Sequence, residues 1–200
     1  MKIAIFGGTF DPIHGAHLAI AGEAARAFGL ARVLFVPASR PPHKGGETAA
    51  GYEDRYHMVE LACQGEPRFE ASRLEAGQER SYSIDTIERV LPTIEPGDEL
   101  FFLIGADAFA EIATWRRWRD VIREVRFIVV ARPGHDYAIP PGARVERLDT
   151  VALPVSSSAI RARLAAGERP AELPPAVFEY IRERGLYTFD EPRAEGRGCQ

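Results

Sequence analysis

Two histidines lie three residues apart, shortly after a glycine pair that ends the first apolar segment of the chain. The segment Lys2–Phe6 is followed by Gly7 and Gly8, and the histidines are His14 and His17. Glycine lets a backbone approach a ligand closely, and a helix N-terminus presents free N–H groups with partial positive charge. Together these features make an anion site, where imidazoles can donate to phosphate oxygens. The pattern predicts a nucleotide-handling active site near the start of the chain.

The glycine segment also allows other interpretations. It does not match G-x-G-x-x-G, and it is not a P-loop because no G-K-[S/T] follows, so an ordinary strand-to-helix turn stays open. A zinc site would need a third ligand, for which Asp11 is the only nearby candidate. Two histidines at a glycine-rich helix start favour contacts to phosphate instead.

A second candidate anion site lies near the other end of the chain. Ser156, Ser157 and Ser158 precede a helical apolar pattern, and Arg161 follows one turn later. One serine would serve as a helix N-cap, whereas three hydroxyls, free N–H groups and an arginine suit a phosphate cradle. The residues alone leave both interpretations open.

The segment 40–51 is rich in Pro, Gly and small residues and is predicted to be a mobile loop over the site. Within it, Pro41 and Pro42 fix an extended path that would aim His43 and Lys44 in one direction. A solvated loop is the alternative interpretation.

Other polar or aromatic residues follow the predicted strands. Gly105 and Asp107 come after the most apolar strand, at the end where ligands bind in open α/β sheets. Arg132 ends another strand and adds a positive charge. Trp115 and Trp118 either line the site or pack in the core.

Apolar segments of strand length alternate with helical patterns along the chain. Strands are expected near Lys2–Phe6, Arg32–Val36, Arg68–Ser72, Glu99–Ile104, Arg126–Ala131 and Arg144–Leu148. Helices are expected near Gly15–Phe28, Tyr52–Ala62, Ile84–Val90, Asp120–Glu124, Ser157–Ala166 and Pro175–Arg184. Continuous apolar strands suit burial on both faces, so the alternation predicts a doubly wound, mostly parallel α/β sheet. We expect one domain over residues 1–189 and a polar, disordered tail over 190–200.

Composition limits the remaining function classes. The 200 residues are 46% hydrophobic, enough for a substantial core, and the net charge of −4 argues against a general nucleic-acid binder. No apolar run approaches the ~20 residues of a membrane span, and a signal-peptide pattern is missing. We therefore expect a cytoplasmic protein that binds neither membranes nor nucleic acid. Cys63 and Cys199 form no metal or redox motif and are expected to be free thiols.

Taken together over roughly residues 2–187, these motifs resemble the nucleotidylyltransferase superfamily, which is marked by a T/H-x-G-H motif. The combination looks like the bacterial nicotinate-mononucleotide adenylyltransferases, and it implies a Rossmann-like fold. The segments that carry the resemblance are Gly7–His14 (GGTFDPIH), Pro41–Lys44 (PPHK), Ser81–Thr86 (SYSIDT), Gly105–Asp107 (GAD), Trp115, Arg132–Gly134 (RPG) and the serine-rich residues 155–161.

The resemblance also implies roles for individual residues. His14 and His17 would contact the ATP phosphates and stabilise the transition state. Further contacts to ATP and its phosphates would come from Gly8, Thr9, Phe10, Lys44, Ser157, Ser158 and Arg161. The mononucleotide site would comprise His43, Ser83, Thr86, Gly105, Asp107, Trp115, Arg116 and Arg132. Within it, Trp115 would stack on the pyridine ring, and the Ser83 backbone and the amide after Trp115 would hold the nicotinate carboxylate.

The implied reaction is adenylyl transfer from ATP to nicotinate mononucleotide, which yields deamido-NAD and pyrophosphate. Mg²⁺ would be bound through the substrate phosphates rather than by a protein cage. The alternatives are an adenylyltransferase of the same fold that uses nicotinamide mononucleotide or phosphopantetheine, and a non-catalytic nucleotide sensor. The oligomeric state stays open, and a homo-oligomer is compatible with the sequence.

Three positions depart from the family pattern. Ala16 stands directly before His17, where the family usually has glycine, and Gly15 precedes it. The added Cβ would bring bulk close to a phosphate. Ser158 replaces the usual threonine but keeps the hydroxyl, and Arg116 stands where a tyrosine often follows the tryptophan.

Overall fold

The computed structural model describes residues 1–40, 48–150 and 155–188. The strands are β1 (Lys2–Gly8), β2 (Arg32–Pro37), β3 (Phe69–Ala71), β4 (Glu99–Gly105), β5 (Arg126–Ala131) and β6 (Arg144–Asp149). The helices are α1 (Gly15–Phe28), α2 (Tyr52–Cys63), α3 (Ser83–Val90), α4 (Ala106–Ala110), α5 (Trp118–Glu124), α6 (Ser157–Ala165) and α7 (Pro175–Arg184). The predictions for His43, Lys44, Cys199 and the tail 190–200 fall outside the described residues.

One six-stranded sheet forms the centre of the fold, with the strand order β3-β2-β1-β4-β5-β6. Every neighbouring pair is parallel, so the predicted doubly wound sheet is confirmed and "mostly parallel" becomes wholly parallel. The direction of winding reverses between β1 and β4. In such sheets ligands bind at this reversal, beyond the carboxyl ends of the strands. The carboxyl ends of β1 and β4 are Gly8 and Gly105.

Both faces of the sheet are covered by buried side chains, because alternate residues of a strand point to opposite faces. In β1, Ala4 packs into a core cluster with residues of α1, α2, α6 and α7. Its neighbours Ile3 and Ile5 pack into a second cluster with residues of α3, α4 and α5. This double burial fixes β1 rigidly and so sets the position of the turn that follows it.

The predicted elements agree with the observed ones to within about two residues at their ends. The helix α4 and the 3₁₀ turns at Leu91–Thr93 and Ile112–Thr114 were not predicted, because three to five residues are too few to show a helical period. None of the helices in the described segments has both the length and the apolarity that a membrane crossing requires.

Candidate active site

The turn after β1 is compact because Gly8 has no side chain. A Cβ at Gly8 would lie 2.8 Å from the ring of Phe10, which folds back over it. Phe10 is buried and has a φ of 48°, in the left-handed region that residues with a bulky side chain rarely adopt. The chain is therefore strained at the point where it leaves the sheet for the first helix.

The two histidines lie side by side at the start of α1. His14 is the N-cap residue, and the rings of His14 and His17 stack with centroids 3.8 Å apart and planes 28° apart. The backbone N–H of His14 donates to Nδ1 of His17 at 3.2 Å. Because Nδ1 of His17 accepts this bond, the neutral ring carries its proton on Nε2.

Both imidazoles are neutral at pH 7. Burial lowers the pKa of His14 to about 4, although the nearby Glu172 carboxylate opposes this shift. Burial, together with the proximity of His14, lowers the pKa of His17 to about 3. The buried Nδ1 of His14 has no hydrogen-bond partner within the described residues. An anion can therefore bind to the two uncharged rings without first displacing another negative group that is bound to them.

Gly15 allows the helix start to approach the chain before α7. Its N–H donates to the carbonyl oxygen of Glu172 at 2.7 Å, and a Cβ on Gly15 would lie 3.1 Å from the same oxygen. Ala16 is buried within a regular first turn of α1. Ala16, where the chain departs from the family pattern, therefore does not disturb the start of α1. The close contact with the segment before α7 is made one residue earlier, by Gly15.

The three serines before α6 have different partners. Ser156 is the N-cap, and its hydroxyl accepts a bond from the N–H of Ala159 at 3.2 Å. The hydroxyl of Ser157 donates to the carbonyl oxygen of Pro12 at 3.0 Å. Ser158 is exposed and accepts a bond from Arg161 at 3.3 Å. Capping therefore needs only Ser156, as the capping interpretation requires, and Ser158 remains accessible to a ligand.

Arg161 joins the serine segment to the histidine turn. Its Nη1 donates to the carbonyl oxygen of Asp11 at 2.8 Å, while Ser157 holds the neighbouring carbonyl of Pro12. These two bonds span 150 and 145 residues of chain. They place the N-terminus of α6 beside the turn that leads to His14.

A cavity of about 350 Å³ opens at the carboxyl ends of the central strands. The predicted site residues that line it are Gly8, Thr9, Ser83, Thr86, Gly105, Trp115 and Arg116. The ring of Trp115 packs edge-on against Phe102, with centroids 5.9 Å apart. An aromatic side chain in the lining of the cavity suits a planar ring as ligand.

The cavity also contains groups that suit a carboxylate. Ser83 begins α3, and the first N–H groups of a helix have no partner within it. The guanidinium of Arg116 lies 4.7 Å from the ring centre of Tyr82 and forms an ion pair with Asp85 at 3.6 Å. These residues bring backbone donors and one arginine to the cavity that Trp115 lines.

A buried carboxylate in the cavity wall was missed from the sequence. Glu75 is 7% exposed, lines the cavity and accepts a bond from the hydroxyl of Thr86 at 2.6 Å. Its second oxygen, Oε2, has no partner within the described residues. The Thr86 hydroxyl therefore donates its proton to Glu75, and only its lone pairs remain for a ligand. No periodicity marks Glu75 as buried, because it lies in an irregular segment before α3.

Asp11 was considered as a metal ligand from the sequence, and the structure gives it another role. Its buried carboxylate accepts bonds from the N–H groups of Ala49 and Ala50 and from the hydroxyl of Tyr187, at 2.7, 3.1 and 2.7 Å. No three His, Cys, Asp or Glu side chains of the described segments are grouped to hold a metal ion. A metal in this site would have to be bound mainly by other ligands.

Other predicted residues lie outside the cavity. Asp107 is fully exposed on α4, with a carboxylate oxygen 3.9 Å from Nε2 of His135. Arg132 is exposed just after β5, at the same edge of the sheet. The lining also does not include Phe10, His14, His17, Ser157, Ser158 or Arg161. The site thus consists of the cavity and the adjoining junction of α1 with α6.

Comparisons with known proteins agree with this architecture. The model of the family described as "Cytidylyltransferase-like" matches residues 5–163. A protein of Solibacter usitatus named "Probable nicotinate-nucleotide adenylyltransferase" is 63% identical, over 94% of this chain and 100% of the relative. A protein of Moorella thermoacetica with the same name is 40% identical, over 98% of this chain and 94% of the relative.

Two solved structures show the same fold at low sequence identity. Plasmodium falciparum nicotinic acid mononucleotide adenylyltransferase complexed with NaAD has a TM-score of 0.76 at 20% identity, covering 93% of this chain and 97% of that one. The same enzyme complexed with APC has a TM-score of 0.74 at 19% identity, with 93% and 96% covered. The chain belongs to the cytidylyltransferase-like family and, within it, to the nicotinate-nucleotide adenylyltransferases.

Proposed function

We propose that this protein transfers the adenylyl group of ATP to nicotinate mononucleotide, giving deamido-NAD and pyrophosphate. The observation that carries the proposal is the junction of the Asp11–His14 turn with α6, beside a cavity lined by an aromatic ring. The junction with α6 suits a polyphosphate, and the cavity suits a planar ring that carries a carboxylate. The names of the relatives support the same reaction.

The reaction needs alignment and charge stabilisation rather than a protein nucleophile. A 5′-phosphate oxygen of the mononucleotide attacks the α-phosphorus of ATP and forms a new P–O bond. The bond from the α-phosphorus to the oxygen that bridges it to the β-phosphorus breaks, and pyrophosphate leaves with the electron pair. Both substrates are anions, so the protein must hold them together against their repulsion.

The histidine pair is suited to charge that grows on the phosphates. Nε2 of His17 carries the ring proton, because Nδ1 already accepts the backbone bond from His14, and it can donate this proton to a phosphate oxygen. Fixed donors of this kind stabilise charge that develops in a transition state. We propose that both imidazoles contact the triphosphate and that Ser158 and Arg161 hold its distal phosphates. Lys44 is expected to add a positive charge from the segment outside the described residues.

The cavity is proposed to hold the pyridine end of the mononucleotide. Trp115 stacks on the ring, and the backbone N–H groups at Ser83 and after Trp115 hold the carboxylate, with Arg116 close by. A carboxylate gains more than an amide from such donors, because hydrogen bonds to a charged acceptor are stronger. This arrangement favours nicotinate over nicotinamide mononucleotide.

Mg²⁺ is the metal that we propose for this site. The described residues fit a metal bound through substrate oxygens, because Asp11 is already bonded and Glu172, the carboxylate near His14, is paired with Arg163. No three His, Cys, Asp or Glu side chains of these described residues are grouped to hold an ion. Mg²⁺ favours substrate phosphates and water as ligands, and when bound it neutralises phosphate charge. The part of this chain is to supply hydrogen-bond donors on the remaining phosphate oxygens.

An assay of pyrophosphate release with paired substrates tests the function. The protein is incubated with ATP and Mg²⁺ and with nicotinate mononucleotide, nicotinamide mononucleotide or phosphopantetheine. We expect release with nicotinate mononucleotide and a lower kcat/KM with the amide. Faster turnover of either alternative acceptor would overturn the assignment. ATP binding without pyrophosphate release from any acceptor would indicate a nucleotide sensor.

A further inference from the structure

We propose that Arg55 is a positioning residue for the ATP phosphates and that it acts through the peptide between Thr9 and Phe10. The inference rests on the proposed function for the identity of the anion. Arg55 lies in α2, is 0% exposed and was not expected from the sequence to be part of the site. It does not line the cavity, so its effect on a ligand is indirect.

The guanidinium of Arg55 binds three carbonyl groups on three separate segments. It donates to Thr9 at 2.7 Å, to Ser39 at 3.3 Å and to Ala50 at 3.3 Å. These residues follow β1, follow β2 and precede α2. A single buried cation therefore fixes the relative positions of the loops at the carboxyl edge of the sheet.

The bond to Thr9 sets the direction of the next N–H group. In a trans peptide the C=O and N–H groups point in opposite directions, and the Thr9–Phe10 peptide is not among the cis bonds of the chain. Since the carbonyl of Thr9 faces Arg55, the N–H of Phe10 faces away from it. That N–H has no acceptor within the described residues, and the next residue, Asp11, is the one whose carbonyl Arg161 binds at the junction with α6. The N–H is available to an anion.

The strained backbone at Phe10 needs such an anchor. A φ of 48° is unfavourable for a residue with a Cβ, and it persists only where the surroundings enforce it. Arg55 holds the carbonyl on one side of Phe10, and Arg161 holds the carbonyl of Asp11 on the other. If Arg55 is lost, the Thr9–Phe10 peptide can rotate, which relieves the strain and turns its N–H away from the ligand.

Charge compensation explains how a buried arginine is tolerated here. Burial lowers the pKa of the Arg55 guanidinium, and the nearby carboxylate of Asp11 opposes this shift by favouring the charged form. A donor on a carbonyl also polarises the same peptide and strengthens its N–H as a donor. The cation thus acts on the anion through the backbone, without contact.

Binding measurements on Arg55→Lys test the proposal. Lysine keeps the charge but cannot supply the planar fork of donors, so the Thr9 peptide loses its fixed direction. We expect the Kd of α,β-methylene ATP to rise about 10- to 100-fold, the scale of one lost hydrogen bond to a charged group, and the Kd of nicotinate mononucleotide to change less than about two-fold. Arg126→Lys is the matched control, because Arg126 pairs with Glu146 and Glu99 at the opposite edge of the sheet.

Two outcomes would overturn the inference. One is an Arg55→Lys protein that folds and binds α,β-methylene ATP as the wild type does. The other is an equal loss of affinity for both ligands, which would indicate a general structural role. Calorimetric binding does not require turnover, so these results stay readable even if the wild type releases no pyrophosphate and the proposed function fails.

A measurement on the wild type covers the case in which Arg55→Lys does not fold. The amide resonance of Phe10 is followed by ¹H–¹⁵N spectroscopy while α,β-methylene ATP is added. We expect it to move downfield and its hydrogen exchange to slow, while the amide of Ala49, already bonded to Asp11, shifts little. An unchanged Phe10 resonance at saturation would show that its N–H does not bind the phosphates and would overturn the proposal.

Discussion

The imidazole rings of His14 and His17 stack 3.8 Å apart in surroundings that keep both of them neutral. Burial keeps both rings uncharged in the free protein, and two cations at this distance would also repel each other. Negative phosphate oxygens favour the protonated form of a neighbouring histidine. The two rings can therefore take up a proton when a polyanion binds beside them.

At acidic pH the free energy of unfolding should depend on the titration of His14 and His17. The unfolded histidines bind protons near pH 6.5, whereas the folded ones bind them only near pH 4 and 3. Between these values the unfolded state holds more protons, so the free energy of unfolding falls as the pH falls. Each histidine adds a slope of up to about 1.4 kcal/mol per pH unit. Denaturant unfolding from pH 7 to pH 4 measures this slope.

A variant separates this slope from that of the acidic groups, which also titrate in acid. The His14→Asn/His17→Asn double variant keeps all carboxylates and should lose stability less steeply than the wild type over the same range. Parallel curves for the two proteins would show that the histidines are not held neutral by the fold.

His17→Ala should reduce turnover with little change in the fold. The loss of one donor to developing charge costs about 10²- to 10³-fold in kcat, and steady-state kinetics with ATP and nicotinate mononucleotide measures it. His57→Ala is the control, because His57 is exposed on α2, away from the cavity, where its ring contacts Tyr180 and its Nδ1 lies 3.2 Å from a carboxylate oxygen of Glu60. A near-normal kcat for His17→Ala would remove this residue from the mechanism.

Trp115→Ala should raise the KM for the mononucleotide and leave that for ATP nearly unchanged. Stacking of a base on an aromatic ring is worth about 1–3 kcal/mol in single-stranded nucleic-acid binders, and we adopt that scale by analogy. Trp118→Ala removes a tryptophan that packs beside Arg119 outside the cavity, so it should change stability rather than KM. Equal KM values for the wild type and Trp115→Ala would refute the stacking role.

The serines should separate stability from binding. Ser156→Ala removes the N-cap of α6 and should lower the free energy of unfolding by about 1 kcal/mol with a small effect on kinetics. Ser158→Ala should leave stability unchanged and raise the KM for ATP, because this hydroxyl is exposed beside Arg161. Chemical denaturation and initial rates on both variants provide the test, and a reversed pattern would contradict the assignment.

The sequence predicted most of the fold because its signals are local. Continuous apolar strands and the amphipathic pattern of α1 depend on neighbouring residues, and both were located correctly. The short helix α4 was missed because it continues directly from β4 without a turn. Its five residues contain no complete apolar repeat.

The supporting residues of the site were missed because their contacts join distant parts of the chain. The bond between Arg55 and Thr9 spans 46 residues, and that between Tyr187 and Asp11 spans 176. Nothing in the sequence distinguishes a buried arginine or aspartate from an exposed one. The glycines, histidines and serines were found because their residue types alone suggest an anion site. Only the structure shows that Ser156 caps α6, that Ser157 binds the carbonyl of Pro12 and that the hydroxyl of Ser158 is exposed.

The fate of labelled phosphorus tests the central claim most directly. The protein is incubated with nicotinate mononucleotide, Mg²⁺ and ATP labelled with ³²P at either the α- or the γ-phosphate, and the products are separated. Adenylyl transfer predicts the α-label in a dinucleotide and the γ-label in pyrophosphate, in equal amounts. Recovery of the γ-label on the mononucleotide or as orthophosphate would contradict the account, because the bond broken would then not be the one at the α-phosphorus.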